Sequence, residues 1–285
     1  PAAAEAAPGS VPAGARPHMD LHFARDAGHR TYLARQFVRY PFHVCRPHYD
    51  DGQPVACSLA LQSLSGGLFE HDDVAIRLRA AAGARVRVAT AASTIVHAMT
   101  GGHAAQAQTL AAGRGAWLEY LPEPQILFPG SRLLSRTSVE IDPEATVIAC
   151  EMFLAHDPTQ GGRSFDAFDA RIDVVRTGAG LLTRERCLVD GASWREGRVG
   201  VSNAHGIHAS LWILGSWTGA DAQARLRAVV DASTERGERL YAGVSSLPNG
   251  AGLQLRALGD DVVALKQLIG EAVAAARAAG AANGA

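Results

Sequence analysis

Lysine is almost missing from this chain. Of 27 basic residues only Lys266 is a lysine, and the rest are arginines. Chemistry built on a side-chain amine therefore has one candidate, in an Ala-rich tail. Neither charge sign is in surplus, with 27 Lys and Arg against 28 Asp and Glu. That balance excludes a strong overall attraction to nucleic acid or anionic lipid. No apolar run reaches the ~18 residues of a membrane span. Cys45, Cys57, Cys150 and Cys187 are scattered without a CxxC. The spacing excludes zinc-finger and ribbon patterns and argues against a disulfide scaffold, leaving four reduced thiols in or near a core. GxxxxGK[ST], HExxH, GxSxG and a helix-opening GxGxxG are all absent. A P-loop nucleotide site is excluded, and the prior for an enzyme falls. Pro1–Pro17 (PAAAEAAPGSVPAGARP) lacks the continuous apolar core of a secretory signal. A flexible leader over 1–18 is expected, and a cytoplasmic location by default.

What is present is a rhythm of short strands and turns. The 285 residues suffice for one large domain or two small ones. Ala84–Thr90 (ARVRVAT) alternates at period two, with Val86 and Val88 on one face and Arg85 and Arg87 on the other. Ser138–Ile141 alternates likewise and stops at Asp142-Pro143. Val147–Leu154 is an apolar run broken by Glu151, and 170–175, 181–190 and 209–214 are further strand candidates. Turn signals such as Ser65-Gly66-Gly67 and Gly178-Ala179-Gly180 recur between them. Ala82-Gly83-Ala84 and Arg114-Gly115-Ala116 open similar strands, but two instances do not establish a repeat.

The last third changes period. Asp221 to about Arg236 carries Leu226, Val229 and Val230 at helical spacing, with Asp221 placed as N-cap. A strand over 252–258 follows. Asp260-Asp261 then opens a second helix with an apolar stripe through Leu265, Leu268, Ile269, Ala272 and Val273. The expectation is a mainly β fold of stacked short strands, either solenoid-like or a distorted sandwich, with two helices in the C-terminal third. It forms one domain over 19–278 and a frayed tail over 279–285.

Several charged residues invite a chemical reading. His205 and His208 are three apart, but Gly206 and Asn203 suggest a loop rather than a helix face. His71-Asp72-Asp73 puts three oxygen and nitrogen donors in one turn. Glu119 and Glu151 each interrupt an apolar strand, so each needs a partner, a metal or water if buried. The blander alternative is an ion pair with arginine or a surface position.

Read in order, several segments resemble the urease accessory protein family UreD, also called UreH. They are Gly28–Pro47 (GHRTYLARQFVRYPFHVCRP), Leu64-Ser65-Gly66-Gly67-Leu68 followed by Asp72 and Asp73, Gly83–His97 with Gln106 downstream, and Leu118–Phe128 (LEYLPEPQILF). Gly243-Val244, 253–258 and Arg277 in the final helix complete the set. This chain departs from the family pattern at Glu70-His71, at Ile95-Val96-His97 and across 156–163 (HDPTQGGR). The resemblance implies a non-catalytic maturation factor with no tightly bound cofactor. Such a protein binds urease subunits and a UreF-like protein, and through that complex a UreG-like GTPase. It helps deliver nickel to the urease active site, with neither nucleic acid nor membrane as partner. Candidates for a transient Ni²⁺ path are His71, Asp72, Glu119, Glu140, Glu151 and His97. Tyr120, Trp194 and Trp217 are candidate partner anchors, whereas Trp212 reads as core. Two other readings stay open: a metal-dependent enzyme on a β scaffold, and a purely structural interaction module.

Overall fold

Short alternating strands joined by tight turns bury their apolar faces by stacking on one another. The computed structural model describes residues 17–49, 56–237 and 239–282. In chain order the strands are β1 (Met19–Arg25), β2 (Thr31–Val38), β3 (Phe42–Val44), β4 (His48–Tyr49), β5 (Cys57–Ser63), β6 (Asp73–Ala80), β7 (Arg85–Thr90), β8 (Thr94–Val96), β9 (Ala104–Ala112), β10 (Trp117–Leu121), β11 (Gln125–Leu127), β12 (Arg132–Ile141), β13 (Thr146–Ala155), β14 (Ala167–Arg176), β15 (Gly180–Asp190), β16 (Ile207–Leu214), β17 (Leu240–Ser246) and β18 (Gly252–Gly259). The helices are α1 (Gly191–Arg195), α2 (Ala220–Glu235) and α3 (Val262–Ala282).

From β5 to β14 the chain shuttles between two sheets. The first has the order β15-β14-β12-β9-β6-β1-β2; the second runs β17-β18-β16-β13-β10-β7-β5-β3. Neighbours among β6, β9, β12 and β14 are parallel, and so are those among β5, β7, β10 and β13. Each circuit therefore adds one strand to each sheet, which is the construction of a β-solenoid rather than a sandwich. The short β8 and β11 and the end of β13 form a narrow third side, also parallel. Antiparallel hairpins close the first sheet at β1–β2 and β14–β15.

The two similar turns noticed in the sequence are equivalent corners of this coil. Arg85 pairs with Trp117, and Trp117 with Thr146. The preceding Ala84, Ala116 and Ala145 thus stack as a column and are all buried. Each donates its N–H back across its own turn, to the carbonyls of Ala81, Gly113 and Asp142. The third corner, Asp142-Pro143-Glu144-Ala145, has no glycine where the others have Gly83 (φ 68°) and Gly115 (φ 61°). That lost signal is why the repeat was not legible.

Helices α2 and α3 cover the outer face of the second sheet. Leu265, Leu268, Ile269, Ala272, Val273 and Ala276 of α3 pack with Leu226 of α2 on Ile148, Cys150, Leu211, Ile213, Leu253 and Leu255. Full burial of each leucine, isoleucine or valine among them contributes about 1.5–3 kcal/mol. The Asp261 carboxylate accepts the Val263 N–H at 2.8 Å, as expected of a residue opening α3. The start of α2 differs from expectation: Gly219 is the N-cap and Asp221 lies in the first turn, where the dipole still favours it. The expected fray from 279 onward is also corrected, because the helix runs to Ala282. Ala279 and Gly280 are buried, and Gly280 lies against the Trp117 ring so closely that a Cβ would fall 2.4 Å from it. Residues 283–285 lie outside the described residues, as do 1–16 of the expected leader. His18, at its end, is tied to β6 by two hydrogen bonds with Ala75. Gly28–Pro47, the first of the segments that resemble the family, holds β2 and β3, which belong to different sheets.

Candidate functional site

Strand alternation turns every second residue into the space between the sheets, and register lines these residues up in rows across the coils. One inward row of the first sheet is Leu78, Leu110, Val139 and Val174, all fully buried. The next is Ile76, Gln108, Thr137, Ile172 and Glu185, and the one after is Val74, Gln106, Ser135, Ala170 and Cys187. Leu133 and Phe168 then restore an apolar row. Two polar rows thus run between apolar ones. The amides and hydroxyls do not fill the space that leucines would, and a cavity of about 480 Å³ remains there.

The opposite wall includes Thr90, Tyr120, Pro122 and Glu151. The outer end is lined by the exposed Gln62, Ser63 and Leu64 and by the exposed turn 91–93. Glu123 lies on this lining and accepts both its hydrogen bonds from the sole lysine, Lys266 of α3, at 2.7 and 2.8 Å. The polar side chains inside bond to each other. Gln106 donates to Ser135 Oγ at 3.2 Å, Ser135 donates to Glu151 Oε1 at 2.6 Å, and Thr137 donates to Gln108 Oε1 at 3.2 Å.

Glu151 stands between this cavity and a smaller inner pocket lined by Thr137, Glu185, Cys187, His208, Ser210 and Trp212. Burial pushes its carboxyl up to about 7, and the nearby Glu185 carboxylate adds to the rise. The Ser135 hydroxyl and Arg136 pull the other way. Glu185 is held by Trp212 Nε1 at 3.1 Å, by Gln254 Nε2 at 2.7 Å and by the Arg256 guanidinium. Burial and Arg256 push the His208 imidazole down to about 4, so the ring is neutral near pH 7. Its face stacks on Phe153 with centroids 5.2 Å apart, and its Nδ1 is buried without a hydrogen-bond partner. Burial also raises the Cys187 thiol to about 11, with Glu151 contributing.

Of the six candidates for an ion path, the structure places only Glu151 on the cavity wall. Glu119 is the clearest correction. It is fully buried on the opposite face of the second sheet, under α3. Trp117 Nε1 donates to it at 2.7 Å and Arg277 Nε at 2.8 Å, and Arg87 lies 3.9 Å away. Its lone pairs are spent on holding the helix. Glu140 is exposed on the outer face of the first sheet. His71 is exposed in its turn, and the Asp72 carboxylate caps that turn by accepting the Phe69 N–H at 2.8 Å. His97 stacks on Phe69 at 4.2 Å and reaches the Gly66 carbonyl. Among the described residues no three His, Cys, Asp or Glu lie so as to hold a metal ion together.

Two of the three candidate partner anchors lie in the interior, and Trp217 is half-buried. Tyr120 and Trp194 are buried, at 7% and 4% exposure, and pack in the interior. Trp217 stacks on Trp117 and spends its N–H on Thr146 Oγ1 at 2.7 Å. Trp212 is core as expected, with its N–H aimed at Glu185.

Sequence reasoning missed Glu185, Gln108 and Thr137, which share one row, and Ser135 in the next, because the rows exist only after registration across coils. His205 and His208 part company: His205 bonds Asp260 in the loop, whereas His208 already belongs to β16. Glu70, one of the departures from the family pattern, pins the turn at 100–102. Its carboxylate accepts from Gly101 N–H at 2.8 Å and from both donors of Thr100, and these bonds hold it down near 2. No described helix is long and apolar enough to cross a membrane.

Comparison with known proteins agrees with this architecture's expected family. The family model for the UreD urease accessory protein matches residues 15–285. A protein from Methylorubrum populi named urease accessory protein UreD 1 is 38% identical over 259 residues, covering 90% of this chain and 86% of the relative. A like-named protein of Methylorubrum extorquens is 38% identical over 264 residues, covering 92% and 86%. One of Pseudomonas syringae pv. syringae is 34% identical over 266 residues, covering 91% and 90%. With a match over nearly its whole length and relatives of this similarity, the chain belongs to the UreD family of urease accessory proteins.

Proposed function

We propose that this protein serves urease maturation as a non-catalytic scaffold whose hollow interior conducts Ni²⁺ toward apo-urease. In this reading it binds urease subunits on one side and a UreF-like protein on the other, and the UreG-like GTPase joins through that complex. The observation that carries the reading is the pair of polar rows inside the solenoid, ending at a carboxyl poised near pH 7.

A conduit must bind its cargo well enough to admit it and weakly enough to release it. Gln106, Gln108, Ser135 and Thr137 offer neutral oxygens, and Glu151 offers the charge. The absence of a three-ligand group among the described residues suits transit rather than storage. Glu151 can release its proton as a cation arrives and recover it as the cation leaves, so the empty passage need not hold a full buried charge. The protein's own residues then orient and neutralise the ion, while nucleotide chemistry stays with the partner.

Co-expression of urease with its accessory proteins and Glu151→Gln tests this. The expected outcome is an intact complex on co-purification and at least a tenfold loss of nickel in urease. Full nickel content would remove Glu151 from the path.

A further inference from the structure

The donors along the passage change in kind at Glu151. Outside it, the polar side chains lining the cavity offer oxygen: Gln106, Gln108, Thr90, Thr137 and the Glu123 carboxylate. Cys150 and Met152 also border it, but they belong to the helix-side core, on the other face of β13. Beyond Glu151, the inner pocket adds an imidazole, His208, and a thiol, Cys187. Oxygen donors suit magnesium and calcium as well as nickel, whereas imidazole nitrogen favours the later first-row divalent metals. An oxygen-only passage therefore has little means of refusing magnesium.

His208 is prepared for such a role in three ways. Its ring is fixed by stacking on Phe153. Its Nδ1 is buried without a hydrogen-bond partner, an unfavourable arrangement that calls for a compensating ligand. Glu151 and Glu185 line the same pocket and supply negative charge to an arriving cation, against Arg256, which is itself tied to Glu185. We propose that His208 Nδ1 is a selectivity station, a single nitrogen donor that ligates a borderline divalent metal as it passes Glu151 and leaves magnesium unbound. Cys187 sits beside it as a neutral thiol, a weak donor that does not trap the ion. This rests on the conducting role proposed above and names the class of cation it accepts.

Histidine ¹⁵N spectra of the full-length protein read the station directly. Zn²⁺, a diamagnetic member of the class, is the probe, and Mg²⁺ is the control. The expected result is loss of the bare-nitrogen signal of His208 Nδ1 with Zn²⁺ and no change with Mg²⁺. His208→Asn should weaken Ni²⁺ binding about tenfold while complex formation is retained. An Nδ1 signal indifferent to Zn²⁺ overturns the station; if Glu151→Gln still weakens Ni²⁺ binding, the passage itself survives. If neither variant alters Ni²⁺ binding, both readings fall together.

Discussion

Glu119 and Glu151 look alike in the sequence, each a lone charge within an apolar strand, yet the fold gives them opposite roles. Glu119 lies on the helix-covered face, where Trp117, Arg277 and Arg87 surround its carboxylate. Glu151 points between the sheets, where one serine donates to it and its carboxyl rises to about 7. Strand parity separates the two positions, and what covers each face then sets the chemistry. A carboxylate saturated by guanidinium and indole N–H groups is a fastener. A carboxyl with one donor beside an open cavity is free to titrate. The covered face is sealed by α3, while the interior stays hollow because two of its rows are polar.

The comparison is sharpened most strongly by removing the fastener. Arg277→Ala leaves Glu119 buried with Trp117 and the more distant Arg87, and should cost about 3 kcal/mol, the low end for breaking a buried pair. Urea unfolding at pH 7 measures it, and a change under 1 kcal/mol would show that α3 is held by apolar packing alone.

Glu151→Gln should act in the opposite sense. A folded-state carboxyl raised from 4.5 to about 7 stays protonated while the unfolded chain ionises. The native state then binds more protons than the unfolded one between those values. Its stability contribution is therefore lost as pH rises from about 4.5 to about 7, and levels off above. The Gln variant lacks that slope, so it should gain on the wild type across this window. Parallel urea midpoints from about pH 4 to pH 9 would contradict an interior Glu151 of this kind. Ser135→Ala should show the smallest effect. It removes the one donor that lowers the Glu151 carboxyl, costing about 1.5 kcal/mol at pH 8 and extending the pH slope upward.

Much of the fold was legible locally. Period-two alternation marked β7 and the end of β12, apolar runs marked β13 and β16, and helical spacing with Asp260-Asp261 marked α3. A solenoid-like stack was among the expectations, but its repeat was not legible, because the third corner replaces glycine with Glu144. Glu151 was visible as a charge in an apolar run, but the same signal marked Glu119, and only the register and the position of α3 tell them apart. Gln108 and Thr137 look unremarkable in sequence; their meaning lies in being neighbours across β9 and β12. Tyr120 and Trp194 misled because aromatic size signals anchors and core packing equally.

The most direct measurement is to fill the hollow row while leaving every carboxylate in place. Gln108→Leu with Thr137→Leu would continue the apolar series from Ile76 to Ile172 and close the cavity with side chains the fold already accepts in the adjacent row. The protein should stay folded and keep its partners, while the urease matured with it contains little nickel by atomic absorption. Urease fully loaded with nickel beside the plugged chain would show that the metal does not travel through this interior.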